Sequence, residues 1–166
     1  REVEQITAFL FHDGGHEDPH VLRSNWGLSN IGCDIKGQGF LFDDSDSEAN
    51  PIAEMRRLLA TNPANASRIL PYSGGEELTT DPLQAHRRWV ISFDKMSEAE
   101  ARQWPELIEL VERKVRPERE GKASDLAACP WWQFWRPRME LREATKSLSN
   151  VFAISCHTEY VSFALA

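Results

Sequence analysis

The chain has 166 residues, 41% of them hydrophobic and 27% charged, the size and composition of a folded domain with one sizeable core. No run of about 18 apolar residues occurs, which excludes a membrane-spanning helix. Cys33, Cys129 and Cys156 are scattered without a CxxC pair, which excludes a disulfide framework or a cysteine zinc site and suits a reducing cytoplasm. A net charge of −7 argues against a uniformly basic nucleic-acid-binding protein. Acidic side chains, however, dominate residues 1–86 while the two signs nearly balance over 87–166, so a face for phosphates belongs mainly to the second half.

In chain order, Val3, Ile6, Phe9 and Leu10 fall at helical spacing and predict a helix over 1–11. His12, His16 and His20 follow four apart. Chelation of zinc by such a set needs a continuous helix, and Gly14-Gly15 and Pro19 break it, so a loop at a helix end is expected. Asn30 to Phe42 reads as strand-turn-strand, punctuated by Gly32, Gly37 and Gly39. Its G-x-G lacks the third glycine and the following helix of a phosphate loop. Lys36 and Gln38 sit on the expected turn, which by itself reads as a solvated hairpin tip.

Asp43 to Asn50 is acidic. Asp44, Asp46 and Glu48 have the alternation of a calcium loop, but Ala49 replaces its glycine and Met55 its terminal glutamate. The segment instead reads as a helix lead-in, with Asn50 as N-cap and Pro51 in the first turn. That helix should run from Pro51 to Ala60 with Ile52, Met55, Leu58 and Leu59 on its apolar face.

Pro71 to Gly75 predicts a turn whose paired glycines take positive φ. Glu76 and Glu77, read as neighbours on a strand, point to opposite faces and make a poor acid–base pair. Arg88 to Phe93 is β-branched and aromatic with apolar residues on both faces, the pattern of a strand inside a sheet. Ser97 with Glu100 forms a capping box, and Pro105 opens a second helix. Leu107, Leu110, Val111 and Val115 mark its buried stripe, and Pro117 is expected to end it. Pro105-Glu106 with Glu112-Arg113-Lys114 spells the pattern of a magnesium nuclease. On a helix, though, Glu112 and Lys114 point roughly 200° apart, so they cannot share a metal. Arg113, Lys114, Arg116 and Arg119 read as a basic helix end.

Residues 121–130 form a linker of small residues before PWWQFWRPR (130–138). Its rings either wedge a following helix onto the sheet or stack on unpaired bases. Arg136 and Arg138, held extended by Pro137, are candidates for phosphate contacts. Met139 to Leu148 is helical, with Leu141, Ala144 and Leu148 in its stripe. Val151 to Ser155 and Val161 to Leu165 are the strands of a hairpin. Its polar tip, with His157, Glu159 and Tyr160, by itself reads as a plain surface turn. The class is α+β, a mixed or antiparallel sheet with flanking helices in a single domain.

Several blocks in order, GQGFLF (37–42), PYSGGEEL (71–78), RRWVISF (87–93), WPELIELVERKVRPERE (104–120), PWWQFWRPRMEL (130–141) and VFAISCHTEYVSFALA (151–166), cover most of the chain. Together they resemble the target-recognition region of large DNA adenine-N6 methyltransferases and single-chain restriction-modification enzymes, the MmeI-like and Eco57I-like families. The resemblance implies that residues 1–166 are a DNA-specificity domain whose partners are double-stranded DNA and its own upstream methyltransferase domain. A start at Arg1 and an apolar end are those expected of a piece of a longer chain. S-adenosylmethionine is implied for the parent and no cofactor for this piece. Neither a glycine-rich loop for that cofactor nor an Asn-Pro-Pro-aromatic motif occurs here, so no catalytic residue is carried over. The implied DNA contacts are Lys36, Gln38, Arg113, Lys114, Arg116, Arg136, Arg138, His157, Glu159 and Tyr160. An acidic protein-docking module is the alternative, and a metal-dependent nuclease a more distant one.

Overall fold

The strand expected at 88–93 is the centre of the fold. A computed structural model describes residues 27–121, 124–159 and 163–165. The helix expected over 1–11, the three histidines and Tyr160 lie outside the described residues. The chain divides into two units, residues 1–30 and 31–166. In the first, residues 27–30 form an exposed turn, and everything below concerns the second.

In chain order the elements are β1 (Leu41–Phe42), α1 (Ile52–Thr61), β2 (Ile69–Tyr72), α2 (Gly75–Thr80), β3 (Arg88–Ile91), α3 (Glu98–Ala101), α4 (Pro105–Glu120), α5 (Ser124–Ala127), α6 (Met139–Thr145), β4 (Phe152–Ile154) and β5 (Phe163–Leu165). The class is α+β, with helices around small antiparallel sheets. β3 lies between β1 and β2 and is antiparallel to both, Val90 facing Leu41 on one side and Leu70 on the other. From Val90 to Phe93 every residue is buried, so both faces of the chain are covered there, as the apolar run implies.

Phe40, Phe42, Ile91 and Phe93 are buried in one core with Leu107, Ile108, Val111 and Val115 of α4 and Met55 and Leu58 of α1. Each such side chain contributes roughly 1.5–3 kcal/mol by leaving water. Tight approach of Gln38–Phe40 to α4 requires glycine. A Cβ on Gly39 would lie 2.5 Å from Lys114 Cβ, and Gly37 adopts φ 155°, a conformation open to glycine. No described helix is long and apolar enough to cross a membrane.

Five local expectations need correction. The strand-turn-strand over 30–42 is not a local hairpin: β1 pairs with β3, and Asp34 pairs in an isolated bridge with Arg136. Asn50 is not the N-cap of α1, which Pro51 occupies without a side-chain bond. Asn50 is buried, and its Nδ2 donates to Gly39 O and Leu41 O at 2.7 and 3.0 Å. The capping role passes to Asp44, whose Oδ1 accepts from Ile52 N at 2.8 Å. Replacing Asn50 by leucine should therefore cost about 1–3 kcal/mol in a denaturant melt, because two buried carbonyls lose a donor.

Glu76 and Glu77 lie on helix α2, not on a strand, and Gly74 caps it at φ −113°. The glycines are small for space rather than for positive φ: a Cβ on Gly74 would meet Arg88 Nη2 at 2.9 Å, and one on Gly75 would meet Ser155 Oγ at 2.7 Å. Finally, α4 runs through Pro117 to Glu120. Proline removes one N–H, and here both Pro117 and Arg113, whose carbonyl loses that donor, are on the exposed face, where solvent rather than protein surrounds the freed carbonyl and the loss is cheap. The capping box of Ser97 with Glu100 forms as expected.

Candidate nucleic-acid interface

Residues far apart in sequence converge at the C-terminal end of α4. On this helix Val111 and Val115 are buried at i and i+4, and Arg119 occupies the next position of that stripe at 2% exposure. Its guanidinium is surrounded by carbonyls. Nε donates to Lys36 O at 3.2 Å, Nη2 to Ile35 O and Lys36 O at 3.1 Å each, and Nη1 to Pro130 O at 2.8 Å. Phe40 lies beneath it with the ring centroid 5.5 Å from Cζ. Burial pulls Arg119 below its ordinary value, yet guanidinium remains cationic in proteins. Arg119 is therefore a clamp on the segments 35–36 and 130, not part of a basic surface as its sequence neighbours suggest.

The clamp sets the local backbone. Lys36 takes a left-handed φ of 46°, uncommon for a residue with a side chain. Asp34 N and O exchange hydrogen bonds of 3.0 Å with Arg136 O and N, and Trp135 N donates to Ile35 O at 3.4 Å. Phe134 is thereby buried edge-on against Phe40. Trp135 and Arg136 are left beside Lys36: Arg136 Cζ is 4.0 Å from the Trp135 ring centroid and Lys36 Nζ is 5.7 Å. Both cations are exposed. Lys36 has one weak ion pair, to Asp34 at 3.8 Å, and no carboxylate of a described residue is within ion-pair reach of Arg136.

The other expected contacts are engaged elsewhere. Lys114 Nζ donates to Glu48 O and Ala49 O at 3.0 and 2.7 Å, closing the acidic loop. It shares a cavity of about 530 Å³ with Gln38, Ser47, Glu48 and Glu118, so Gln38 and Lys114 come together but not with Arg136. Arg116 pairs with Glu112 and Glu120 at 2.9 and 3.0 Å, and Glu112 also with Arg102 at 3.3 Å. Glu112 and Lys114 thus face different partners, and the nuclease-like pattern assembles no site. Arg113 is exposed on the same helix, away from the buried stripe. Arg138 takes φ 49°, precedes α6 and pairs with Glu140 at 3.5 Å. His157 and Glu159 sit in the exposed turn after β4, where Ser155 Oγ donates to His157 O at 3.1 Å.

Two polar arrangements escape a reading by segment. Glu77 is 2% exposed and accepts from Arg88 Nε and Nη2 at 2.5 Å each and from Gly74 N at 2.9 Å. Burial pushes its carboxyl up, but these donors outweigh it and the net effect is below the ordinary value. Asp94, at φ 53°, pairs with Arg68 at 3.3 Å and with Arg142 at 2.7 Å. Alternation would not find either, because each joins separate elements. Among the described residues no group of three or more His, Cys, Asp or Glu side chains is arranged to hold a metal ion.

No protein-family model, curated protein or solved structure matches this chain.

Proposed function

We propose that this chain is the DNA-recognition portion of a DNA adenine-N6 methyltransferase or a bifunctional restriction-modification enzyme. Its role is to hold the duplex by phosphate contacts while loop side chains read base edges. The methyl transfer, with its S-adenosylmethionine, belongs to a separate domain of the parent protein. Support comes from the ordered sequence blocks and, in the structure, from one observation: Lys36 and Arg136 are exposed cations beside one indole, without strong carboxylate partners. Cations so placed can exchange water and counterions for phosphate without first breaking a strong ion pair. The site draws its contacts from Lys36 and Arg136. Lys114 and Arg116 are internally satisfied, and Arg138 is committed to Glu140.

Fluorescence anisotropy with random-sequence duplex DNA across a salt series tests this. Lys36→Ala with Arg136→Ala should weaken binding and reduce the slope of log K against log salt by about 2, since each phosphate contact contributes roughly 0.9. A double variant with the slope of the parent chain would remove the site from the reading.

A second reading, a protein-interaction module, is favoured by the hairpin of β4 and β5. Its outer face exposes Phe152, Ile154, Phe163 and Leu165, while Ala164 faces inward; exposed apolar clusters of this kind mark protein contacts. On this reading the chain binds no duplex at low salt, and the double variant behaves as the parent does.

A further inference from the structure

Trp135 differs from the other described tryptophans. Trp89, Trp104, Trp131 and Trp132 all pack against the buried core, and Trp135 does not. Trp104 Nε1 donates to Ala64 O at 3.2 Å and Trp132 Nε1 to Met96 O at 2.9 Å; the Trp135 indole N–H, like those of Trp89 and Trp131, has no partner among the described residues, so what sets Trp135 apart is its place off the core. The ring is half-exposed beside two long cationic side chains, on a backbone fixed by the Asp34–Arg136 bridge and the Arg119 clamp. An indole that contributes little to the core, yet is held on rigid backbone beside two cations, has the composition of a nucleotide site: an aromatic face for the base and positive charge for its phosphate.

The geometry points to Trp135 as a stacking site for one unpaired nucleobase, with Lys36 and Arg136 on the adjoining phosphate. This rests on the DNA-recognition reading and adds to it a ligand that paired DNA does not present. Of the two cations, Lys36 is the looser, near the outer limit of about 6 Å for a cation–π contact. The arriving base takes its place on the ring, and the freed ammonium turns to the phosphate.

Labelled oligothymidylate and an abasic oligomer of the same length and charge separate the base from the phosphate. The full chain should bind oligothymidylate about 10-fold more tightly, the scale of one base–aromatic stack. Trp135→Ala should reduce oligothymidylate binding to the abasic level and leave abasic binding unchanged. Trp135→Phe should keep part of the preference, and Lys36→Ala with Arg136→Ala should weaken both oligomers alike. A duplex with a single unpaired thymidine, set against a fully paired one, identifies the source of the base. A Trp135-dependent gain with either base-bearing probe supports the site, and a gain with neither overturns it. A preference that survives Trp135→Ala also overturns it. Fully paired duplex binding, measured alongside, fails or holds independently of that ratio, so a failure of the recognition reading is told apart from a failure of the stacking site.

Discussion

Arg119→Met is expected to destabilise the protein by about 3–5 kcal/mol, the range for removing one member of a buried charged network. The loss has a specific origin. Ile35 O, Lys36 O and Pro130 O all accept from this one guanidinium, and methionine fills the volume without offering a donor. Ile35 O keeps Trp135 N and Pro130 O keeps Gln133 N as donors, so Lys36 O is the carbonyl left without a partner. That costs about 1–3 kcal/mol, and the rest of the loss is the buried packing and charge of the guanidinium itself. Arg119→Lys keeps the charge, but a compact ammonium cannot reproduce a planar fork spanning two segments, so it should recover only part of the loss. Urea melts of the three proteins decide the matter. A methionine variant within about 1 kcal/mol of the parent would mean that water replaces the clamp. Duplex affinity should fall in both variants even when they are folded, because Lys36 is positioned through its own carbonyl.

The second large effect concerns Glu77. Glu77→Ala should cost about 3 kcal/mol, the lower end for a broken buried pair because Arg88 retains some access to water. For a chain of this size that is roughly 6–12 °C in melting temperature. Glu77→Leu together with Arg88→Met should restore most of the stability, since the pair is costly to break but not costly to replace. The sign of the pH dependence follows from the direction of the shift. The folded-state carboxyl lies below its ordinary value of 4.5, so its contribution is complete above that value and is lost as pH falls through the depressed one. The stability gap between the parent and Glu77→Gln should be constant near neutrality and narrow only in acid. A gap that narrowed between pH 6 and 8 would contradict the assignment.

Where local pattern decides structure, the sequence was a good guide. β3, α1 and most of α4 follow from periodicity, and the Ser97–Glu100 capping box follows from spacing alone. The hairpin of β4 and β5 was readable as two apolar runs around a polar turn. Misreadings cluster where a distant segment outweighs the local signal. Phe40-Leu41-Phe42 is a strand, but its partner is β3, which no turn residue announces. Asn50 is a good N-cap by type and is instead consumed by the carbonyls of Gly39 and Leu41. Arg119 sits in a charged tract, yet lies four residues after Val115 and eight after Val111 on the apolar stripe. That spacing was the available clue to its burial. Of the expected DNA contacts, Lys36 and Arg136 come together and Trp135 was not singled out. Nothing in PWWQFWRPR separates Trp135 from its neighbours until the Phe134 ring is seen turned into the core.

The bridge between Asp34 and Arg136 also bears on synthesis of the chain. One half of the cation pair is translated early and the other late, and Arg119 and Pro130, which fix the first half, come between them. Contacts of such long sequence separation carry a large loop-closure cost and slow folding. A polypeptide that stops short of Arg136 therefore lacks both the second cation and the bridge to Asp34, and one that stops short of Arg119 also lacks the guanidinium that holds Lys36 O. Under the proposed function, binding would in this sense report completeness, since its two cations meet only when residues near 136 have been made and folded back onto those near 36.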